Sequence, residues 1–311
     1  MAKEKTLVSI RGTYKIDTHY DGKIFFANGK DCITFSIPFN NTQKAELLFY
    51  NDKKVVVTLQ KELSENQLTY IKAQTVDFNK DNEKNIKGDL DQIATKFLRL
   101  IKFIFTHTEI KETLFQRNIC EYCIDGTQWH IIPNRSEHYY RAFSIEMSLG
   151  DNQISWLQLF LDKEIEPFMG LHFLHNAMNS RDEVKYRWIN ATIAAELCIK
   201  EFFVKYAKNK DVNLDNFLLD MPSPSIEKMY GTILEDFTGE KSIKLKDLED
   251  GMKIRNKLVH RYLIDENIIP TIQKCDLYIK NVEIAIYQLL ALLYKDNQYM
   301  QFLYGEMKKR N

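Results

Sequence analysis

The apolar residues of this chain change their spacing once, and that change restricts the fold more than any other feature. Up to about residue 150 they recur mostly at every second position, the period of a strand. Beyond Ser180 they recur at every third or fourth, the period of a helix. The pattern predicts an α+β protein in two domains: a β-rich part over residues 1–175 and an all-α part over residues 180–311.

In the first part, strand-like runs extend from residue 6 to about 78. Ile33, Phe35, Ile37 and Phe39 alternate with Thr34, Ser36 and Pro38, giving one buried and one wetter face, and Val55-Val56-Val57 reads as a more central strand. Turn pairs at Asp21-Gly22, Asn28-Gly29 and Asn51-Asp52 predict hairpins. Leu90, Ile93, Ala94, Phe97, Leu98, Ile101 and Ile104 then fall at helical spacing, which predicts one long helix across the sheet. Asp125-Gly126 marks a further hairpin, and Tyr139, Arg141, Phe143, Ile145, Met147 and Leu149 a further strand. Phe25, Phe26, Phe35, Phe39, Phe49 and Tyr50 could stack on bases, but alternating aromatics read better as core.

The character shifts near Pro167. Four helical segments are expected at about 182–208, 225–237, 243–265 and 270–296. Trp188, Ile193, Leu197, Phe203 and Tyr206 mark the first. Cys275, Ile279, Val282, Ile286, Leu289 and Leu293 mark the last, in the alternating steps of four and three that bundles use. Ser225 is placed to cap the second segment, with Lys228 where a capping box would want an acid, and Pro270 suits the first turn of the fourth.

Composition narrows the class. Lysine plus arginine and aspartate plus glutamate number 43 each, so the chain is neither a polycation nor an acidic tail, although a local basic face is compatible with neutrality. At roughly 150 residues per domain, a length of 311 suits two cores. The five cysteines (Cys32, Cys120, Cys123, Cys198 and Cys275) are scattered and odd in number, and a polar opening argues against a signal peptide, so a cytoplasmic home is expected. No run of about 18 apolar residues suggests a membrane span. Cys120 and Cys123, with His130 and His138 downstream, are a weak zinc pattern, since thiols three apart in a strand face opposite ways. His172 and His175 lack an evident third ligand. No metal site is expected. Phosphate-loop, dinucleotide and serine-hydrolase signatures are missing from the sequence.

The segment 243–265 carries the chemistry. Its inward stripe is expected to run Leu245, Leu248, Met252, Arg255, Val259 and Tyr262, which places an arginine where a bundle normally has an apolar residue. A guanidinium keeps its proton at any ordinary pH, and burying it costs several kcal/mol unless it is paired, so it calls for an anion. Asn256 and His260, four apart, share one shoulder of the same helix. On a straight helix Arg255 and His260 stand about 140° apart, so bringing both onto one phosphate calls for arginine's long reach or for a partner helix, which dimerisation would supply. A purely structural arrangement would instead pair Arg255 with Glu249 or Asp250.

Arg255-Asn256-Lys257-Leu258-Val259-His260, in the third helix of a four-helix unit, resembles the Arg-Asn-x-x-x-His signature of the HEPN superfamily. The resemblance covers residues 180–300. It implies a four-helix HEPN-like bundle and a homodimeric, metal-independent endoribonuclease that needs no cofactor. Tyr262 extends the likeness to the toxins in which that tyrosine is modified by a partner antitoxin. Glu196, with Lys200 one turn later, is the candidate for the acidic residue that many members carry on an earlier helix. The chemistry suits these residue types. The ribose 2′-OH attacks the adjacent phosphorus, leaving a 2′,3′-cyclic phosphate and a free 5′-OH, which confines the substrate to RNA. His260 would act as general base or acid, Arg255 would hold the charge developing on phosphorus, and Asn256 would orient either partner. Lys253, Lys257 and Arg261 would guide the RNA backbone. By layout, a sensing or regulatory domain joined to such an effector resembles antiphage and toxin proteins that cut RNA, including tRNA, with a phage-derived trigger or an antitoxin as partner. The rival is a catalytically silent HEPN module for dimerisation or nucleotide binding, with the β domain as a protein- or RNA-binding scaffold.

Overall fold

The computed structural model describes residues 5–16, 24–26, 28–39, 43–73, 80–105, 116–132, 147–179, 183–209, 225–260 and 269–309; within its helices and strands, the side chains of 80–85, 105, 116–119, 147–149 and 260 lie outside that description. The chain divides into two compact units, residues 1–167 and 168–311. An antiparallel sheet dominates the first unit, and helices make up the second.

The first unit is built on a six-stranded sheet in the order β3 (Cys32–Pro38), β4 (Lys44–Tyr50), β5 (Lys54–Leu63), β1 (Thr6–Lys15), β6 (Gln116–Cys123) and β7 (His130–Ile131). Each neighbouring pair is antiparallel. Alternation does what the sequence asks of it. Val8, Ile10, Ile33, Phe35, Ile37, Leu47, Phe49, Val55 and Val57 are all buried, while the residues between them are wetter, Val56 excepted. Onto β1 and β5 packs the long helix α2 (Lys80–Phe105; the short α1 precedes it), with all seven of its predicted apolar positions buried. The Phe97 ring sits 5.2 Å from Phe35 and 5.3 Å from Phe49, a contact of the kind that stabilises by about 1.5–3 kcal/mol per buried side chain. Polar ties frame it: Tyr14 donates to Asp91 at 2.9 Å, and Lys61 pairs with Asp89 at 2.5 Å.

The Asn51-Asp52 turn joins β4 to β5, with Lys53 taking the left-handed conformation (φ 68°). At Asp125-Gly126, Gly126 takes φ 78° between β6 and β7, and the Asp125 carboxylate accepts from the backbone of Thr127 and Gln128. Those bonds, that from Gln128 first, hold its carboxyl well below the usual range.

Three expectations need correction. Among the described residues Asn28-Gly29 is a turn but joins no hairpin: β2 (Ile24–Phe26) pairs in parallel with β8 (Met147–Leu149), and the Phe26 ring lies 5.7 Å from Phe49. Its neighbour Phe25 is 53% exposed, so not every aromatic of this half is core. The strand pattern to residue 78 gives way to α1 (Glu65–Lys72), nucleated by a capping box in which Ser64 and Gln67 satisfy each other's backbone N–H. A helix that the sequence did not announce, α3 (Asp151–Asp162), lies against β3, where Gln158 bonds both the N–H and the carbonyl of Ser36. Asp21-Gly22 and residues 139–146 of the predicted later strand lie outside the described residues.

The second unit contains α4 (Leu171–Asn179), α5 (Val184–Lys208), α6 (Ile226–Lys228), a π turn (Met229–Ile233), α7 (Leu234–Thr238), α8 (Leu245–His260), α9 (Ile272–Leu293) and α10 (Gln298–Lys309). The core is the α5/α9 contact. Ala191, Ala194 and Ala195 of α5 are fully buried, and on α9 Cys275, Ile279, Val282, Ile286, Leu289 and Leu293 are buried in keeping with their spacing. On α5 the buried stripe runs through Trp188, Ala191, Ala195, Cys198 and Phe202; Ile193 is only half-buried and Leu197 is 38% exposed. Among the described residues two helices add to the predicted four. α10 covers α9, and α4 packs on α5 where Gly170 meets Cys198, a Cβ there falling 2.6 Å from its sulfur. α4 therefore belongs to the second unit, and the division falls at Pro167/Phe168, before residue 175. Ser225 caps α6 without an acidic partner, accepting from Lys228 N–H at 3.3 Å, while Thr271 caps α9 so that Pro270 precedes its first turn. No helix among the described residues is long and apolar enough to cross a membrane.

Candidate functional site

α8 buries Leu248, Gly251 and Leu258 and half-buries Arg255, so its inward stripe runs Leu248, Gly251, Arg255 and Leu258 in steps of three, four and three. The expected stripe is corrected around a fixed arginine. Met252 is half-buried and Val259 is 44% exposed, because Gly251 rather than Met252 is pressed onto α9. A Cβ on Gly251 would lie 1.9 Å from the Tyr278 ring and 2.6 Å from its hydroxyl oxygen, so only glycine fits.

Arg255 has an unusual set of partners. Its Nη1 donates to the exposed Asn256 side chain at 3.2 Å, and its Nε is sealed from solvent with no acceptor. Among the described residues no carboxylate lies within ion-pair distance of the guanidinium. The two acids nearest in sequence are engaged elsewhere: Glu249 pairs with Lys253 at 2.5 Å and Lys246 at 3.7 Å, and Asp250 pairs with the same lysines at 3.4 and 3.5 Å. The Lys253 hydrogen bond lowers the Glu249 carboxyl, and Glu249 in turn raises the Lys253 ammonium. Pairing of Arg255 with Glu249 or Asp250 is thereby overturned. Lys253, expected to guide RNA, spends its charge on these two acids; Lys257 is exposed on the helix.

Beside Arg255 stands a buried polar column. The Trp188 indole stacks on Tyr278 with centroids 4.2 Å apart and planes at 13°, and its Nε1 donates to the Gly251 carbonyl at 2.9 Å. Thr192 Oγ1 bonds the Trp188 carbonyl and the Tyr278 hydroxyl, each at 3.0 Å. Burial pushes the Tyr278 hydroxyl far above its ordinary value; the Thr192 bond and the Arg255 charge oppose this, and the Glu196 charge adds to it. Glu196, half-buried on α5 one turn beyond Thr192, and Arg255 therefore act on the same oxygen from two helices. Lys200 follows one turn later, half-buried. His260 is the last residue of α8, its side chain outside the description, and Arg261 and Tyr262 lie outside the described residues.

Gly251, Tyr278 and Thr192 were not picked out as site residues from sequence. A glycine inside a helical pattern costs about 1 kcal/mol against alanine and so signals a close approach, which was the readable clue. The other polar motifs build nothing comparable. Among the described residues no group of three metal-ligating side chains occurs. Cys123 donates to Asp125 at 3.4 Å, His130 stacks on Tyr122, and His138 lies outside the description. His172 shares a bond with Asn176 at 3.1 Å, and His175 is buried.

No family model matches the chain, and no curated protein does.

Proposed function

We propose that this protein is a metal-independent, HEPN-type endoribonuclease, acting as a cytoplasmic homodimer in antiviral defence or as a toxin, with a phage-derived trigger or an antitoxin controlling it through the first unit. One observation carries the reading: Arg255 keeps an inward position on α8 with no acid to neutralise it among the described residues, while its neighbours Glu249 and Asp250 are held by lysines. A half-buried guanidinium left uncompensated is costly in stability and is suited to a phosphate.

In this reading the RNA phosphate takes the place of the missing acid. The 2′ oxygen forms the new bond to phosphorus as the bond to the 5′ oxygen breaks, and Arg255 donates to the equatorial oxygens as charge accumulates on them. His260 of one subunit removes the 2′ proton and His260 of the other delivers a proton to the leaving 5′ oxygen, so both steps need the dimer. Asn256 orients the guanidinium it already contacts, Glu196 supplies the nearby carboxylate, and Lys257, Arg261 and Tyr262 line the approach of the RNA, tRNA included.

The test is cleavage of a labelled RNA in EDTA, with the new end checked for cyclic phosphate. Arg255→Ala and His260→Ala are expected to abolish cutting while the dimer persists by light scattering. Cleavage surviving in both variants overturns the reading, and a protein that dimerises but never cuts is the silent module instead.

A further inference from the structure

Trp188 is the largest fully buried side chain among the described residues, and the proposed chemistry gives it no part. Its indole Nε1 donates to the Gly251 carbonyl at 2.9 Å. That carbonyl already has a donor. α8 is helical from Leu245 to His260, and an α-helix bonds each N–H to the carbonyl four residues back, so the N–H of Arg255 is directed at the same oxygen. A carbonyl has two lone pairs and accepts both donors. The bond from Trp188 therefore satisfies no backbone group that would otherwise be orphaned. Its effect is directional: it fixes the oxygen to which the Arg255 peptide is hydrogen-bonded.

We infer that Trp188 is a positioning residue for Arg255, acting through the Gly251 carbonyl that its indole shares with the Arg255 backbone N–H. Three contacts hold the donor and its acceptor in place. The indole stacks on Tyr278 with centroids 4.2 Å apart and planes at 13°. The Trp188 carbonyl accepts from Thr192 Oγ1 at 3.0 Å. Gly251, having no Cβ, lets α8 close onto the Tyr278 ring, from which a Cβ would be only 1.9 Å away. Gly251 and Arg255 share the inward stripe of α8 and stand about 40° apart on the helix, so pinning the carbonyl of one sets the direction in which the side chain of the other leaves. A guanidinium at the end of a long side chain magnifies any turn of the helix about its axis, and a misplacement of about 1 Å can cost about 10²-fold in rate. The inference rests on the ribonuclease reading for its effect on rate, but not for its effect on the Arg255 peptide.

The experiment uses the full chain with Trp188→Phe, which keeps a ring against Tyr278 and removes the donor. The Gly251 carbonyl keeps the Arg255 N–H, so the variant leaves no orphaned acceptor. Should it fail to fold, 3-benzothienylalanine at position 188, an indole isostere with sulfur in place of N–H, is the second variant. The backbone amide of Arg255 is followed by NMR with 15N-labelled arginine and identified by its absence in Arg255→Lys. With the competing donor gone, its bond to Gly251 strengthens and the amide proton is expected to move downfield. A resonance at its wild-type position overturns the inference. With a labelled single-stranded oligoribonucleotide, kcat per folded molecule is expected to fall about tenfold while KM stays close to wild type, since a misplaced donor harms the transition state more than ground-state binding. An unchanged kcat with only a lower unfolding midpoint marks a purely structural tryptophan and also overturns it. If the wild-type protein cuts no RNA, the ribonuclease reading fails by itself and the amide resonance decides the role of Trp188.

Discussion

The Trp188 indole nitrogen donates to the backbone carbonyl of Gly251 at 2.9 Å, tying α5 to α8 one turn before Arg255. A side chain and a backbone group from helices distant in sequence thus set the register of the candidate site, and the Tyr278 ring fills the space that glycine leaves. Two of these three residues are aromatic and buried, so the site rests on rigid packing rather than on a loop.

Gly251→Ala is expected to destabilise the second unit. Alanine would gain about 1 kcal/mol of helix propensity, but its Cβ would fall 1.9 Å from a ring that is itself held by Trp188. Overpacking of this kind costs about 1–3 kcal/mol and outweighs the gain. Denaturant unfolding of the variant should show the lower midpoint, and a midpoint at or above wild type would mean that α8 is not pressed on Tyr278 as described.

The two lysines flanking Arg255 on α8 should differ in their effect on RNA binding. Lys253 is committed to Glu249 and Asp250, whereas Lys257 is exposed and has no carboxylate within ion-pair distance among the described residues. Lys257→Ala is expected to weaken binding and reduce the slope of log K against log salt by about 0.7, the value for one contact to a single strand. Lys253→Ala should leave that slope where it is. Fluorescence anisotropy across a salt series reads both, and equal slopes in the two variants would refute the assignment.

Alkaline pH should destabilise the second unit. Burial pushes the Cys275 thiol from 9.0 up to about 11, the Arg187 charge opposing, and the thiol donates to the Val184 carbonyl at 3.7 Å. Because the folded value is the higher one, its contribution is complete below pH 9.0 and is lost as the pH climbs through about 11. Burial shifts Cys198 and Tyr230 in the same direction. Melting temperature should therefore fall over that range, and less steeply in Cys275→Ala, whose cavity cost does not depend on pH. Parallel curves for the two proteins would rule out a part for this thiol.

The parts of the molecule legible in sequence are those where one physical demand dominates. Leu90 to Ile104 and Cys275 to Leu293 read correctly because their spacing has to bury one face or nearly all faces. Residues 65–72 did not, because the Ser64–Gln67 capping box decides locally what an apolar pattern leaves open. Arg255 was found because a cation among core positions is conspicuous. Met252 and Val259 were misplaced because the spacing fixes a stripe only to within one residue, and Gly251, by yielding to Tyr278, rotates it. No pattern within α8 reveals which ring will meet that glycine from α9.

In the first unit, Gln158 should protect a sheet edge. β3 ends the six-stranded sheet, and its Ser36 would offer an unpaired N–H and carbonyl there. The Gln158 amide answers both, accepting from Ser36 N–H at 3.1 Å and donating to Ser36 C=O at 2.8 Å, as a neighbouring strand would. Gln158→Ala leaves α3 intact, alanine being the better helix former, and removes this pair together with the exposed bond that Gln158 donates to Asp162 at 2.9 Å. Since the bonds are exposed and water replaces them, the loss of stability should be small, about 0.5–1 kcal/mol. The larger consequence is that an open edge can recruit another strand. Size-exclusion at rising concentration should show the variant associating beyond the wild-type state; identical elution at every concentration would show that the edge is protected by other means.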